Sequence, residues 1–133
     1  MRTLIALLLT FIFTQGAIAG KNSYQCVIKE HLFLSKAGAL ARPPKPYHIG
    51  QRFAIDRSSG VFTGPEEVLT LQESNYRILA PGNAKNAFSV VATAANDSGG
   101  MHFTVITIEE FSEGPAKPFV LLNGSSVLSG VCE

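Results

Sequence analysis

Side chains that could carry out chemistry are spread thinly along this sequence. The candidates for a metal site are three histidines and three carboxylates, namely His31, His48, His102, Glu30, Glu109 and Glu110. Metal ligands usually follow short fixed spacings such as H-E-x-x-H or C-x-x-C, and these residues follow none of them. The sequence therefore predicts no metal site and no cofactor.

Nucleophilic and acid-base catalysis are equally weakly indicated. The sequence contains no G-x-S-x-G motif, and Gly124-Ser125-Ser126 is expected in a turn. The pairs Glu66-Glu67 and Glu109-Glu110 are adjacent in sequence, and neighbours on a strand point to opposite faces. We predict no catalytic residue. An enzyme would have to assemble its groups from distant strands, and the contributors would be Asp56, Arg57, His102, Glu109 and Glu110.

Two long loops offer side chains for recognition. Residues 36–50 contain three prolines and residues 112–118 contain two, which favours extended surface connections because proline cannot donate to a sheet ladder. The candidate recognition residues of these loops and of the turn at 56–60 are Arg42, Lys45, Tyr47, Arg57, Glu113 and Lys117.

The stretch 53–64, FAIDRSSGVFTG, predicts a hairpin rather than a site. Phe53 and Ile55 would point inward on one strand, Asp56 would accept backbone N–H bonds, and Gly60 would adopt the positive φ that ends such a turn. Arg57 is then expected to be an exposed charge that the turn does not require.

These residues must be positioned by strands, because period-two alternation dominates the chain. Alternation along 24–34 places Tyr24, Cys26, Ile28, Leu32 and Leu34 on one face and His31 on the other. Turn signals recur about every ten residues, and residues 81–83, Pro-Gly-Asn, are one of them. The predicted strands are 24–34, 51–56, 61–63, 76–80, 87–94, 101–111, 119–122 and 127–132.

This pattern predicts an all-β domain of about seven or eight strands, either an antiparallel barrel or a sandwich. The segment 66–71 fits a short helix or a strand, and we leave both open. The domain would span residues 20–133, because residues 1–19 read as a signal peptide that ends in Ala17-Ile18-Ala19.

The two cysteines, Cys26 and Cys132, lie near opposite ends of that domain. In an oxidising compartment we expect them to form a disulfide, whereas a reactive pair would be close in sequence. The 11 basic and 10 acidic residues nearly cancel, which disfavours nucleic acid and anionic membranes as partners.

The aromatic-x-Cys start at 24–26, the stretch 53–57 with Gly60 and Gly64, and the segments 113–119 and 130–132 resemble small exported proteobacterial proteins of unknown function. The resemblance spans most of the domain. It implies an envelope location and one β-rich domain, and it transfers no activity and no site residue.

The sequence thus favours a non-catalytic binding or structural protein of the bacterial periplasm or exterior, with a protein partner and no membrane span after signal cleavage. One alternative is an inhibitor of a hydrolase such as lysozyme or a protease. The second alternative is an enzyme with an acid-base site that no motif marks.

Overall fold

Alternating apolar residues build a single antiparallel sheet in the computed structural model, which describes residues 22–65 and 74–133. These residues contain nine strands and no helix. The strands are β1 Ser23–Leu34, β2 Leu40–Ala41, β3 Arg52–Asp56, β4 Phe62–Thr63, β5 Asn75–Asn83, β6 Asn86–Ala95, β7 Met101–Ile108, β8 Lys117–Asn123 and β9 Ser126–Cys132. The predicted all-β antiparallel class is confirmed. The predicted signal peptide and the segment 66–71 lie outside the described residues.

The strand order explains how distant parts of the chain meet. Strands β5 to β9 form a meander, β9 then pairs with β1, and β1 pairs with β3, giving the order β4-β3-β1-β9-β8-β7-β6-β5 with β2 beside β1. The sheet curls into a half-barrel. At its two ends, Phe62 of β4 and Tyr76 of β5 are in contact, with ring centroids 5.5 Å apart. The pairing of β1 with β9 places the first and last described strands side by side.

The core lies on the concave face of the sheet. Its side chains come from both halves of the chain, as in the ring contacts of Tyr24 with Phe88 at 5.0 Å and of Phe53 with Phe119 at 5.4 Å. Ile28, Ile55 and Leu121 are fully buried among them. Phe53 and Ile55 are inward, as the alternation predicted. Removing this apolar surface from water is the main favourable term in folding.

The hairpin prediction for 53–64 is confirmed. Oδ1 of Asp56 accepts bonds from the backbone N–H groups of Ser58 and Ser59, at 3.0 and 2.8 Å, and from both of their hydroxyls, at 2.6 and 2.8 Å. These bonds, the hydroxyl bonds foremost, lower the pKa of Asp56 to about 2. Gly60 has φ of 74°. The turn therefore uses Asp56 for its own structure.

A β-bulge makes the side-chain orientation in the second half of β1 the reverse of the predicted one. Ile28 pairs with Gly130 and Glu30 with Ser129, so Lys29 is an extra residue on β1. Because one added residue reverses the alternation, His31 points inward and Leu34 is exposed. The prediction that Leu32 and Leu34 face the core opposite His31 was wrong for this reason.

The predicted turn at 81–83 was also wrong. Strand β5 continues through Pro81 to Asn83, and the turn falls at 84–85, where the Lys85 N–H donates to Asn83 Oδ1 at 2.8 Å. Among the described residues β5 pairs only with β6. A strand with one partner tolerates proline, because its missing N–H can face away from the ladder. The strand predicted over 101–111 ends earlier, at Ile108.

The sulfur atoms of Cys26 and Cys132 lie 2.04 Å apart, at disulfide distance, as predicted. The two residues face each other across the β1–β9 pairing and are buried. The bond closes a loop with a sequence separation of 106. A closed loop of that length restrains the unfolded chain strongly.

We expect the double variant Cys26→Ala/Cys132→Ala to lose about 4 kcal/mol of unfolding free energy, because the restraint on the unfolded chain is removed. Guanidinium unfolding at pH 7 measures the difference. Dithiothreitol should destabilise the wild type to a similar extent and leave the double variant unchanged. A loss below about 1 kcal/mol would contradict the role given to the disulfide.

The inward His31 is a polar group in an apolar setting, with 7% of its surface exposed. Its Nδ1 has no hydrogen-bond partner, and its Nε2 lies 3.5 Å from Ser126 Oγ. The ring of His48, which is hydrogen-bonded to Gln51 at 3.1 Å, is 4.8 Å from that of His31. Burial of the ring is the main cause that lowers the pKa of His31 below the usual 6.5, and the nearby His48 lowers it further.

A histidine that is held neutral in the native state and charges freely in the unfolded state stabilises the fold above pH 6.5. That stabilisation is lost as the pH falls through the lowered native pKa. We expect the unfolding free energy to decrease between pH 7 and about pH 5, and His31→Leu to flatten that slope. Urea unfolding across this range tests it. His102→Gln should keep the wild-type slope, and a slope unchanged by His31→Leu would refute the assignment.

Candidate binding cleft

Polar side chains from distant strands converge at one end of the half-barrel, where β1 begins and β3, β5, β7 and β9 end. We call this the cleft end. A cleft of about 410 Å³ opens there. Its lining residues are Tyr24, Arg57, Asn83, Ala84, Glu110, Pro115, Lys117 and Glu133.

Three of these residues contact one another pairwise, and we call them the Tyr24–Arg57–Glu110 triad. The Tyr24 hydroxyl donates to Oε1 of Glu110, and Arg57 Nη2 lies 2.7 Å from the same oxygen. The Arg57 guanidinium also lies over the Tyr24 ring, with Cζ 5.0 Å from the ring centroid. The Glu110 side chain is only 9% exposed and that of Arg57 33%. The carboxylate is thus nearly withdrawn from water and is paired on one oxygen by two donors.

Each member of the triad is positioned by a different strand or turn. Tyr24 is the first inward residue of β1, and Arg57 is the first turn residue after β3. Glu110 follows the end of β7 by two residues, where its N–H donates to the Ile108 carbonyl at 3.0 Å. The triad therefore depends on the pairing of β1 with β3 and on the curl that brings β7 opposite them.

Gly82 makes room for the Glu110 carboxylate. It has φ of 69°, and a Cβ at this position would clash with the Glu110 carboxylate and lie 2.8 Å from Phe88 Cβ. A side chain would be disfavoured by both the backbone conformation and the lack of space. Glycine at this point of β5 is therefore part of the site.

The surroundings of Tyr24 hold its hydroxyl in the protonated form. Burial raises the pKa of Tyr24, and the hydrogen bond to Glu110 and the charge of that carboxylate raise it further, against a smaller opposite effect of Arg57. Tyr24 consequently stays a hydroxyl donor at every physiological pH. A charge-assisted bond of this kind is stronger than a neutral one. The group behaves as a fixed polar wall of the cleft.

The connection between β7 and β8 forms another side of the cleft and is itself held by polar bonds. Lys117 Nζ donates to the Ser112 carbonyl. Ser112 in turn bonds to Glu109 through its N–H at 3.0 Å and through its hydroxyl at 3.2 Å. The loop therefore has internal bonds that restrict its movement, which favours recognition with a small entropic cost.

The structure divides the predicted recognition residues between two places. Arg57 and Lys117 line the cleft, and Glu113 lies in the β7–β8 connection beside it. Arg42, Lys45 and Tyr47 lie in the loop between β2 and β3, which runs beside β1 between Ile28 and Leu34, away from the cleft. The loops 36–50 and 112–118 therefore do not form a common recognition surface.

Arg57 differs from its prediction. It was expected to be a free exposed charge, and it is instead paired with Glu110 and stacked on Tyr24. Its side chain leaves the turn and contacts two residues that line the cleft. Sequence pattern could not show this because Glu110 is 53 positions further along the chain.

The candidate acid-base groups are also separated. Arg57 and Glu110 come together, but Asp56 is used within its turn and Glu109 accepts from Ser112. His102 is at the other end of the sheet, with Nε2 2.6 Å from Asn123 Oδ1. Within residues 22–65 and 74–133, no three His, Cys, Asp or Glu side chains are grouped as a metal site would require.

Tyr24 is the cleft residue that the sequence analysis did not single out. It was assigned only to the core, although a tyrosine at the inward end of a strand needs a partner for its hydroxyl. That requirement was the one feature of the sequence that could have indicated a polar contact at Tyr24. Nothing in the sequence indicated which carboxylate would supply the partner.

Comparisons with known proteins identify no relative from which a function could be inferred, so the functional argument depends on the geometry of the cleft. No protein-family model matches the chain, and no curated protein or solved structure gives a significant match. In the described part of the chain, no helix is long and apolar enough to cross a membrane.

Burial of Glu110 predicts strong coupling to Arg57. In a double-mutant cycle with Arg57→Ala and Glu110→Ala, we expect a coupling energy of about 1 to 2 kcal/mol, because the bond is charge-assisted and partly desolvated. Each variant should still fold. Guanidinium unfolding of the four proteins gives the coupling.

The pair Arg42–Glu30 is the matched control, since its bond length is 2.8 Å but its side chains are 75% and 36% exposed. The same cycle there should give at most about 0.5 kcal/mol. Equal coupling in the two pairs would show that burial at the cleft does not strengthen the Arg57–Glu110 contact.

Proposed function

We propose that the protein is a non-catalytic binding protein of an extracytoplasmic compartment, the periplasm or the cell exterior, and that the cleft holds a protein partner. The observation that carries the proposal is the Glu110 carboxylate, nearly buried and occupied by both Tyr24 and Arg57 at the edge of an open cleft. Convergent polar groups in a concave site are typical of binding sites.

The same observation favours binding over catalysis. A general base needs an accessible lone pair and a pKa near the working pH. Glu110 Oε1 already accepts from two donors, and Tyr24 is held protonated by burial and by Glu110. Tyr24 therefore remains a hydroxyl donor, and the triad gives the cleft its shape and polarity rather than a group that transfers a proton.

The remaining donors of the cleft define what a partner must present. An arginine has five N–H donors and a lysine three, and each of Arg57 and Lys117 has one described acceptor within the chain. A carboxylate or carbonyl group on the partner would use the others. We therefore infer that a surface side chain or loop of another protein, rich in acceptors, occupies the cleft.

The buried disulfide is compatible with an oxidising compartment. Together with the N-terminal sequence 1–19, which resembles a signal peptide, it supports export. A bacterial envelope is the compartment that the sequence resemblance implies.

Capture of partners from a bacterial envelope extract tests this function. Wild-type protein and the variants Lys117→Glu and Lys45→Glu would be immobilised, because one substitution reverses a charge in the cleft and the other an equivalent charge in the β2–β3 loop. We expect the captured proteins to be lost with Lys117→Glu and retained with Lys45→Glu. Retention of every partner by Lys117→Glu would remove the cleft from the function.

A hydrolase inhibitor is the second candidate, because the β7–β8 connection is held by internal bonds at the mouth of the cleft. Inhibitory loops gain affinity from such rigidity. Rates of a panel of lysozymes and proteases with excess protein decide this. Inhibition that Glu113→Ala or Pro115→Ala weakens would favour this candidate, and unchanged rates throughout would exclude it for the panel.

A further inference from the structure

The β2–β3 loop, residues 42–51, lies along β1 and is attached to it at one end by backbone bonds. The Gly50 N–H donates to the Ile28 carbonyl at 2.8 Å, and the Gln51 carbonyl accepts from the Ile28 N–H at 3.0 Å. These bonds fix the last residues of the loop. Side-chain contacts connect the preceding part of the loop to β1.

Two side-chain contacts of the loop differ in how much they can contribute. The ion pair of Arg42 with Glu30 has side chains that are 75% and 36% exposed, and exposed pairs add little stability. His48 instead lies against the buried His31, with ring centroids 4.8 Å apart and ring planes inclined by 51°. Nδ1 of His48 is 3.1 Å from Gln51 Oε1, which orients the ring. The histidine pair is thus the more buried of the two contacts.

The contact between the two rings depends on their being neutral. A protonated imidazole carries an N–H on both nitrogens, and Nδ1 of His31 is buried without a hydrogen-bond partner. A charge on this ring would therefore lie in an apolar setting with one donor unsatisfied. A proton on His48 would add a like charge beside it. Imidazoles change charge between about pH 5 and 8, so the contact is sensitive to mild acid.

The described surroundings of His31 contain no carboxylate that would stabilise its protonated form. Strands β2 and β9 contribute no titratable side chain. The charged or titratable side chains of the β2–β3 loop and of the bulge region of β1 are Lys29, Glu30, Arg42, Lys45, Tyr47 and His48. Glu30 alternates to the opposite face of β1 from His31 and is bonded to Arg42 at 2.8 Å.

We propose that the β2–β3 loop is a pH-operated flap, closed against β1 while His31 and His48 are neutral and released when they are protonated. The flap would stay attached through β2 and β3, whose pairings with β1 contain no histidine. Opening would let both rings reach water. Because the open form tolerates a charged His31 and the closed form does not, the open fraction should rise by up to about tenfold per pH unit below 6.5.

The flap carries three of the predicted recognition residues, Arg42, Lys45 and Tyr47. Its release would change how these side chains are presented, so a partner that contacts them at neutral pH would bind more weakly in acid. This regulation is independent of the cleft, whose lining contains neither histidine. Partner binding at the cleft and opening of the flap are consequently separate outcomes.

Amide hydrogen exchange of the full protein with its disulfide formed, followed by NMR between about pH 7.5 and 5.5, tests the proposal. The reporter is the Gly50 N–H, which exchanges only when its bond to the Ile28 carbonyl opens. After correction for the intrinsic pH dependence of exchange, we expect its protection factor to fall at least about fivefold over this range. Opening of the flap exposes little surface, so the Gly50 rate should be insensitive to about 1 M urea, whereas exchange through global unfolding accelerates.

Histidine variants assign the effect. His31→Gln and His48→Gln each remove one titrating ring and should each reduce the fall in protection at Gly50, and the double variant should abolish it. His102→Gln is the matched control, because His102 is also hydrogen-bonded to an amide side chain, that of Asn123, but not to the loop. It should keep the wild-type pH dependence.

Three results would overturn the proposal. The first is a Gly50 protection factor that does not change with pH in the wild type, and the second is a fall of equal size in the double variant. The third is a Gly50 rate that increases with urea as steeply as the rates of the β6 core amides, because the loop would then open only with the whole protein. If the double variant does not fold, the pH and urea dependence of the wild type decides.

Discussion

The pairing of β1 with β9 is the constraint on which the rest of the structure depends. It joins the start of the described chain to its end, and the buried Cys26–Cys132 bond makes that join covalent. Strand β1 lies between β9 and β3, so the whole N-terminal portion is attached to the β5–β9 meander through this pairing. Such non-local pairing is costly in chain entropy, and the disulfide offsets part of that cost by restricting the unfolded state.

The cleft is a direct result of that constraint. Tyr24 lies on β1, Arg57 follows β3, and Glu110 follows β7, so the three meet only when β1 connects the two parts of the sheet. A nearly buried carboxylate without partners would be strongly destabilising, whereas one that accepts from a hydroxyl and a guanidinium is tolerated. The triad therefore contributes to the stability of this end of the half-barrel and also lines the cleft.

The bulge at Lys29 divides β1 into two parts with opposite alternation. Before it, β1 contributes Tyr24 and Cys26 to the cleft end and the core. Beyond it, the reversed alternation buries His31 against His48 and turns Leu32 toward the convex face. The strand therefore lines the cleft before the bulge and contributes an outward apolar side chain, Leu32, after it.

Much of the architecture follows from the sequence alone, because strand formation depends on local alternation and turn chemistry. The period-two runs, the Asp56–Gly60 turn and the two distant cysteines were sufficient to predict an antiparallel all-β domain with that disulfide. The reversed face of His31 and the course of β5 through Pro81 were not predictable, because a bulge and a strand with one partner are properties of pairing between strands. The triad was beyond sequence reasoning for the same reason. Arg57, Tyr24 and Glu110 meet only through the curl and register of the sheet, which bring residues far apart in the chain into contact and withdraw the Glu110 carboxylate from water.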